Sequence, residues 1–434
     1  MKQFCAISCP IDTYSGYGAR ARDFFRALYE LKKDEYDFLI LGQRWGQTPW
    51  GYIEDNKEEW GWVLPMLTKN NQLPKQPDLW IQITIPNEFQ PIGKYNIGVT
   101  AGIETTLCHA TWIEGINRMN LTLVSSEHAK TVFKESAFEK KDDKGNTIEK
   151  IKAEKPIEVL FEGADLNKYF YIDDNDLEET DLVASLDEIK EEFCYLFVGH
   201  WLQGEIGEDR KNVGLMLKSF FETFKDKKKR PALIMKISGA GCSVIDREDM
   251  LSKINSIRTL VGGDLPNVYL LHGELDDCDM NNLYNHNKVK AMFNMTKGEG
   301  FGRPLLEFSL CKKPIIASGW SGQIDFLQKD MSCLLGGQIS QVHPSAAVQN
   351  IILIESGWFS ADVTQAKHYL KEVYEKYDKY VEFAKKQSHF SRTKFSFDEM
   401  KSLLASYLDK IPKQTPIQLP QFKRIELPKL KKVE

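Results

Sequence analysis

Short apolar runs recur along this chain. Each is followed by a glycine or polar turn and then by a stretch with apolar residues three and four apart. Such runs, bounded by turns, read as strands buried on both faces, and the stretches between them read as covering helices. The first unit is a strand over 3–8, the turn Ser15-Gly16-Tyr17-Gly18, a helix over 19–31 and a strand over 37–41. In that helix Phe24, Phe25, Leu28 and Leu31 share one side. Strand, glycine loop, helix, strand opens a parallel α/β sheet. The pattern continues with strands at 79–83, 96–100, 121–125 and 156–160, and a helical piece at 127–133.

Two segments interrupt it. Residues 139–155 are charged, with a Lys144-Gly145-Asn146 turn, and predict an exposed hairpin. Residues 171–192 are acidic and have linker composition. A second series follows, with strands at 195–198, 232–238, 268–271, 289–294 and 315–317 and a helix at 213–224. A long helix is expected over 361–387, a break over 388–395 and a last helix over 396–411. The organisation is therefore a first domain at 1–178, a second at 179–390, a returning helix within 391–411 and an extended tail at 412–434.

The 434 residues suit two domains. Lys+Arg total 57 and Asp+Glu 62, a net charge of -5. That excludes a uniformly basic nucleic-acid coat and leaves a local basic groove open. No apolar run approaches the roughly 18 residues of a membrane helix, so no integral membrane association is expected. The start, MKQFCAISCPID, reads as a buried strand rather than a secretory signal. The eight cysteines show no two-residue pairing, and the expected compartment is reducing and cytoplasmic. Trp45, Trp50, Trp60, Trp62, Trp80 and Trp112 crowd the first quarter, as a ligand-facing surface or as aromatic core.

The most specific segment is Gly298-Glu299-Gly300-Phe301-Gly302-Arg303-Pro304-Leu305-Leu306-Glu307. A strand end, a glycine turn and a proline at a helix start present backbone N–H groups to an anion such as phosphate. Glu299 and Glu307 are placed to accept hydrogen bonds from sugar hydroxyls beside it. A second signal is Val198-Gly199 followed by Asp209-Arg210-Lys211-Asn212, two adjacent cations ahead of a helix, suited to a diphosphate. Lys236 and His272 end neighbouring strands and face the same expected cleft. Arg20 and Arg22 read as surface charges on the first helix, and His109 as a polar surface or core histidine.

Over roughly residues 1–410 the chain resembles the retaining glycosyltransferases of family 4, whose signature is two glutamates with seven residues between them around a Gly-Phe-Gly turn. The resemblance implies an α/β fold of GT-B type: two Rossmann-like domains, a cleft between them, and a C-terminal helix crossing back to the first. It places Glu307 on the ribose of a nucleotide and Glu299 against the transferred sugar. The backbone of Gly300, Phe301, Gly302 and Arg303 approaches the diphosphate and sugar. Arg210 and Lys211 match the family's Arg-Lys pair beside Gly199, with His200 where a first arginine is expected. Gly16 and Gly18 match its N-terminal glycine loop, and Glu104 becomes an acceptor-side cleft residue. Lys236 becomes a phosphate or base contact. Leu160-Phe161-Glu162-Gly163-Ala164-Asp165 resembles the domain exit, where the glycine turn is structural. Gly319-Trp320-Ser321-Gly322-Gln323-Ile324-Asp325 takes the place of a segment whose proline and glutamate are absent here. Asp277-Cys278-Asp279 reads as a metal-binding DxD in an acidic loop, but the resemblance implies that no metal is required.

The expected activity moves a sugar from a nucleoside-diphosphate sugar, a co-substrate and not a tightly bound cofactor, to a hydroxyl acceptor with retention. No residue stands as a covalent nucleophile. A less specific likeness to glycosyltransferase-like proteins of tailed phages offers another acceptor, a hydroxylated or hydroxymethylated pyrimidine in DNA. There tryptophans would stack bases, the lysines of 140–155 and 423–432 would meet phosphates, and the compartment would be the host cytoplasm. A third reading is a sugar-nucleotide binding protein without catalysis.

Overall fold

A computed structural model of the protein describes residues 2–68, 70, 72–142, 144–173, 176–239 and 241–412. Apart from Pro412, the expected tail, with its lysines at 423–432, lies outside the described residues.

The apolar runs assemble into two six-stranded sheets whose strands all pair in parallel. In the first the order is Tyr36–Gly42, Gln3–Cys9, Leu79–Ile83, Tyr95–Thr100, Leu121–Val124 and Ile157–Val159. In the second it is Val268–Leu271, Ala232–Ser238, Cys194–His200, Val289–Phe293, Ile315–Ser318 and Cys333–Leu335. Each order reverses once, beside Gln3–Cys9 in the first sheet and beside Cys194–His200 in the second. In open parallel sheets ligands gather outside the carboxyl ends of the strands at such a point. The two switch points face the same cleft, where Ser125 Oγ donates to the Gly300 carbonyl at 2.9 Å.

The link between the sheets already belongs to the second core. Ala164 and Tyr169 pack with Leu182 and Leu186 of the helix Asp181–Asp187 against Leu196 and Met292. At the other end the helix Phe397–Leu408 returns to the first domain. Its Phe397, Met400, Leu404 and Leu408 share a cluster with Phe24, Phe25 and Leu28. Gly163 is needed there, because a Cβ would lie 2.5 Å from the Ser396 carbonyl.

Several expectations change. The break placed over 388–395 comes only at its end: the helix Tyr377–Lys394 runs through Ser388 and stops before Phe395, and the last helix starts at Phe397, while an unexpected bend falls at Lys376 after the helix Val363–Glu375. The polar residues that suggested a break form a buried helix face. Gln387 Nε2 donates to the Phe326 carbonyl at 2.7 Å, Ser388 Oγ to the Leu310 carbonyl at 3.0 Å, and Ser391 Oγ meets Ser309 Oγ at 2.7 Å. Arg20 and Arg22 are not surface charges but are 1% and 6% exposed. Arg20 donates to the carbonyls of Leu160 and Phe161, and Arg22 to those of Ile11 and Thr13. They clamp the glycine loop and the domain exit. Asp277, Cys278 and Asp279 lie not in a loop but in the helix Asp277–Asn285, capped by Asp276.

The charged hairpin forms as expected, Ala137–Lys141 against Thr147–Lys152. It follows the helix Glu127–Glu135, which starts at the cleft and runs away from it, so these lysines stand at the opposite end of the domain. A second hairpin, Gly337–Gln341 with Gly357–Ala361, was not anticipated. Half of the tryptophan cluster is core: Trp60, Trp80 and Trp112 are buried, whereas Trp62 is exposed at the surface, where it stacks on Phe25 at 5.6 Å. Only Trp45 and Trp50 remain on the loop that follows Tyr36–Gly42.

Candidate active site

The turn after Val289–Phe293 is pressed against the first domain. A Cβ on Gly298 would fall 2.0 Å from the Glu104 carbonyl oxygen, and one on Gly300 would fall 2.4 Å from that of Ala101. Two of the signature glycines are therefore set by the approach of the other domain. Gly302 has φ 99°, a left-handed conformation that suits glycine, and leads into the short helix Arg303–Ser309. Among the described residues no protein acceptor takes the N–H groups of Gly300, Phe301, Gly302 or Arg303. Four consecutive unengaged N–H groups form a concavity suited to an anion.

The segment 319–325, a mismatch to the family pattern, supports this turn. Ser321 Oγ accepts from the Glu299 N–H at 2.9 Å, and the Gly322 N–H donates to the Glu299 carbonyl at 3.0 Å. Asp325 Oδ2 accepts from the Glu127 N–H across the cleft at 2.9 Å.

The cations come from the loop between Cys194–His200 and the helix Val213–Phe224. Lys211 Nζ pairs with Glu299, and Arg210 with Glu104 Oε1 at 3.1 Å. The Arg210 carbonyl accepts from the Lys297 N–H at 2.9 Å, which ties this loop to the glycine turn. Burial pushes the Glu299 carboxyl up, but Lys211 and Arg210 outweigh it and hold the group below the usual carboxylate range. Burial pulls the Lys211 ammonium below its ordinary value, with Glu299 opposing. His200 replaces no guanidinium: burial, then Lys211 and Arg210, push its ring down to about 4, so at neutral pH it is uncharged. At Gly199, the same strand end, a Cβ would crowd the Phe197 ring at 3.1 Å and meet the Lys211 stem only at ordinary contact distance, 3.9 Å.

Glu307 lies deeper. Its Oε1 accepts from Arg303 Nε at 2.8 Å and its Oε2 from the Tyr284 hydroxyl at 3.2 Å. Burial raises the carboxyl to about 7 despite Arg303. Arg303 also pairs with Asp23 Oδ2 of the first helix at 2.5 Å, spanning the cleft. Its backbone belongs to the turn, but its side chain is a tie between domains.

The remaining candidates divide. Gly16 is exposed and a Cβ there would meet nothing, whereas at Gly18 it would fall 2.2 Å from the Thr13 carbonyl. Gly18 is thus a packing glycine and Gly16 the open one. Lys236 Nζ donates to the Gly273 carbonyl at 2.7 Å at the strand ends. His272 is engaged by Asp246 at 2.7 Å. His109 caps the helix Ala110–Arg118. Asp277 binds Lys168 and Tyr169, each at 2.7 Å, and Asp279 binds Thr180 at 2.8 Å. Asp23 and Tyr284 were not singled out by motif, and Glu162 and Ser321 were named only as members of segments with no role assigned. Their buried positions mark them, which no local pattern reveals.

No family model matches the chain, and no curated protein does. Solved structures do. The chain resembles HepE from Anabaena in complex with UDP and glucose, with 13% identity and a TM-score of 0.58 over 94% of this chain and 99% of that one. The fold is GT-B. Other GT-B neighbours include trehalose-6-phosphate synthase OtsA, at 11% identity and TM-score 0.59 over 95% and 100% of the two chains. A glycosyltransferase from Rickettsia africae gives 12% and 0.58 over 95% and 100%. In this GT-B chain no helix among the described residues is long and apolar enough to cross a membrane.

Proposed function

We propose that the protein is a retaining glycosyltransferase that moves a sugar from a nucleoside diphosphate to a hydroxyl acceptor. The observation that carries this reading is the four free N–H groups of Gly300–Arg303 lying beside Lys211, Arg210 and the ionised Glu299. The diphosphate lies on those N–H groups. Glu307 accepts from the ribose hydroxyls, and Glu299 faces the transferred sugar. Gly16, Gly18, Gly199 and Lys236 shape the rest of the donor site, and Glu104 orients Arg210 on the acceptor side.

In the reaction the acceptor oxygen bonds to the anomeric carbon while the bond from that carbon to the diphosphate breaks. The electron pair leaves with the diphosphate, and a diphosphate oxygen takes the acceptor's proton. Arg210, Lys211 and the turn stabilise the charge that grows there, and the domains hold the acceptor on the face of the sugar from which the diphosphate leaves. Transfer on one face without a protein nucleophile gives retention. No step is assigned to a metal.

The test is incubation with UDP-, GDP-, ADP- and TDP-sugars, following release of the free sugar by proton NMR. UDP-glucose is the first choice, since a HepE crystal holds it. Release of the sugar with its donor configuration supports the reading; inverted product refutes retention. No hydrolysis and no transfer from any donor refutes the enzyme and leaves a binding protein.

A further inference from the structure

Resting on that reading, we propose that the acceptor is a carbohydrate whose pyranose ring lies on Trp45, with the Glu162 carboxylate accepting hydrogen bonds from its hydroxyls. Trp45 stacks on Tyr17 with ring centroids 3.8 Å apart and planes 22° from parallel. Trp45 is partly exposed, and among the described residues Tyr17 is the only ring that stacks on it. The platform is built rather than loose. The Gln43 N–H donates to the Cys9 carbonyl at 2.9 Å, Thr48 Oγ1 to the Trp45 carbonyl at 2.6 Å, and the Tyr14 N–H to the Pro49 carbonyl at 3.0 Å. It also stands next to the chemistry. The Tyr17 hydroxyl accepts from the Ala101 N–H at 3.1 Å, and the Ala101 carbonyl is the atom against which Gly300 of the donor turn packs.

Glu162 is the independent observation. It is 8% exposed, yet among the described residues no donor reaches its carboxylate. Arg20, Arg303, Glu299 and Tyr17 are within electrostatic reach of it, from both domains. Its carboxylate oxygens keep access to the cleft solvent, so a ligand entering there can supply the hydrogen bonds that no side chain does. A pyranose offers an apolar face for the indole and a rim of hydroxyls for the carboxylate. A nucleic acid fits less well. Loop 43–51 holds one cation, Arg44, and the neighbouring carboxylates Asp12 and Asp55 bind Ile53 and Tyr14. The hairpin lysines stand at the other end of the domain, so a polyanion finds little to neutralise it.

Saturation-transfer NMR on the full chain, with and without UDP, would use methyl α-glucoside, methyl α-mannoside, methyl β-galactoside and maltose, with oligo-dT as a separate arm. At least one glycoside is expected to bind. Trp45→Ala and Glu162→Gln should each weaken it at least tenfold and Trp45→Phe less than threefold, with UDP affinity by calorimetry staying within twofold in all three. Glycosides that fail to bind, or that bind Trp45→Ala and Glu162→Gln as well as the parent, overturn the proposal. Loss of oligo-dT binding in Trp45→Ala without any glycoside binding replaces the sugar by a base. Failure of UDP to bind would sink the donor reading instead, and the glycoside arm without UDP still decides this one.

Discussion

Lys211 and Glu299, 88 positions apart, form a buried ion pair at the centre of the cleft, with side chains 12% and 8% exposed. The pair keeps the glutamate ionised beside the donor turn and holds the lysine where diphosphate charge would grow. Lys211→Ala should therefore leave an uncompensated buried carboxylate and lower stability by about 3–5 kcal/mol. Lys211→Ala with Glu299→Gln should recover most of that in thermal melts. Neither variant should recover turnover, which falls more than donor affinity because the charge grows toward the transition state. A double variant with near-parental turnover would place the phosphate site elsewhere.

Glu307 sets a pH dependence. Its folded value, about 7, is raised above an ordinary carboxyl, so the folded chain binds a proton that the unfolded chain has released. Stability should thus fall as pH climbs from the ordinary carboxylate range through about 7, then level off, and Glu307→Gln should remove this component. Nucleoside binding should run the other way, strengthening as the carboxylate forms. Glu307→Ala should weaken uridine or the matching nucleoside by about 1–3 kcal/mol. Calorimetry at pH 6 and 8 with an unaltered affinity in that variant would dismiss the ribose assignment.

Gly300→Ala tests the closed cleft. The added Cβ meets the Ala101 carbonyl at 2.4 Å, backbone of the other domain, and cannot be relieved by a side-chain rotation. Each sheet should stay folded while the domains are forced apart. Small-angle scattering should report a larger radius of gyration, and transfer should fall at least a hundredfold. Retained transfer with an unchanged radius would show that the two backbones need not approach this closely.

Chelation should leave transfer intact. Asp277 and Asp279 are engaged by Lys168, Tyr169 and Thr180, and in the proposed reaction the turn N–H groups with Arg210 and Lys211 carry the phosphate charge instead. Activity lost in EDTA and restored by manganese or magnesium would return the two aspartates to the list of ligands.

Much of this was written locally. Apolar runs and glycine turns encode backbone conformation and the face to be buried, so strands such as Leu79–Ile83, Ala232–Ser238 and Val268–Leu271 and the helix Val213–Phe224 were legible residue by residue. The glycine turn between Glu299 and Glu307 and the adjacent cations Arg210 and Lys211 were legible as local patterns for the same reason. What the fold alone decided is which polar group meets which. Arg303 finds Asp23 across 280 positions, and Arg20 and Arg22 look like surface charges until distant carbonyls close on them. Gln387, Ser388 and Ser391 read as a break because a polar residue on a helix looks solvated unless its buried partner is known. Six tryptophans look alike in composition, yet three fill the interior, Trp62 packs on Phe25, and Trp45 lies on Tyr17 beside the cleft. Burial and pairing are properties of the packed chain, since a charge is held inside only by groups that folding brings to it.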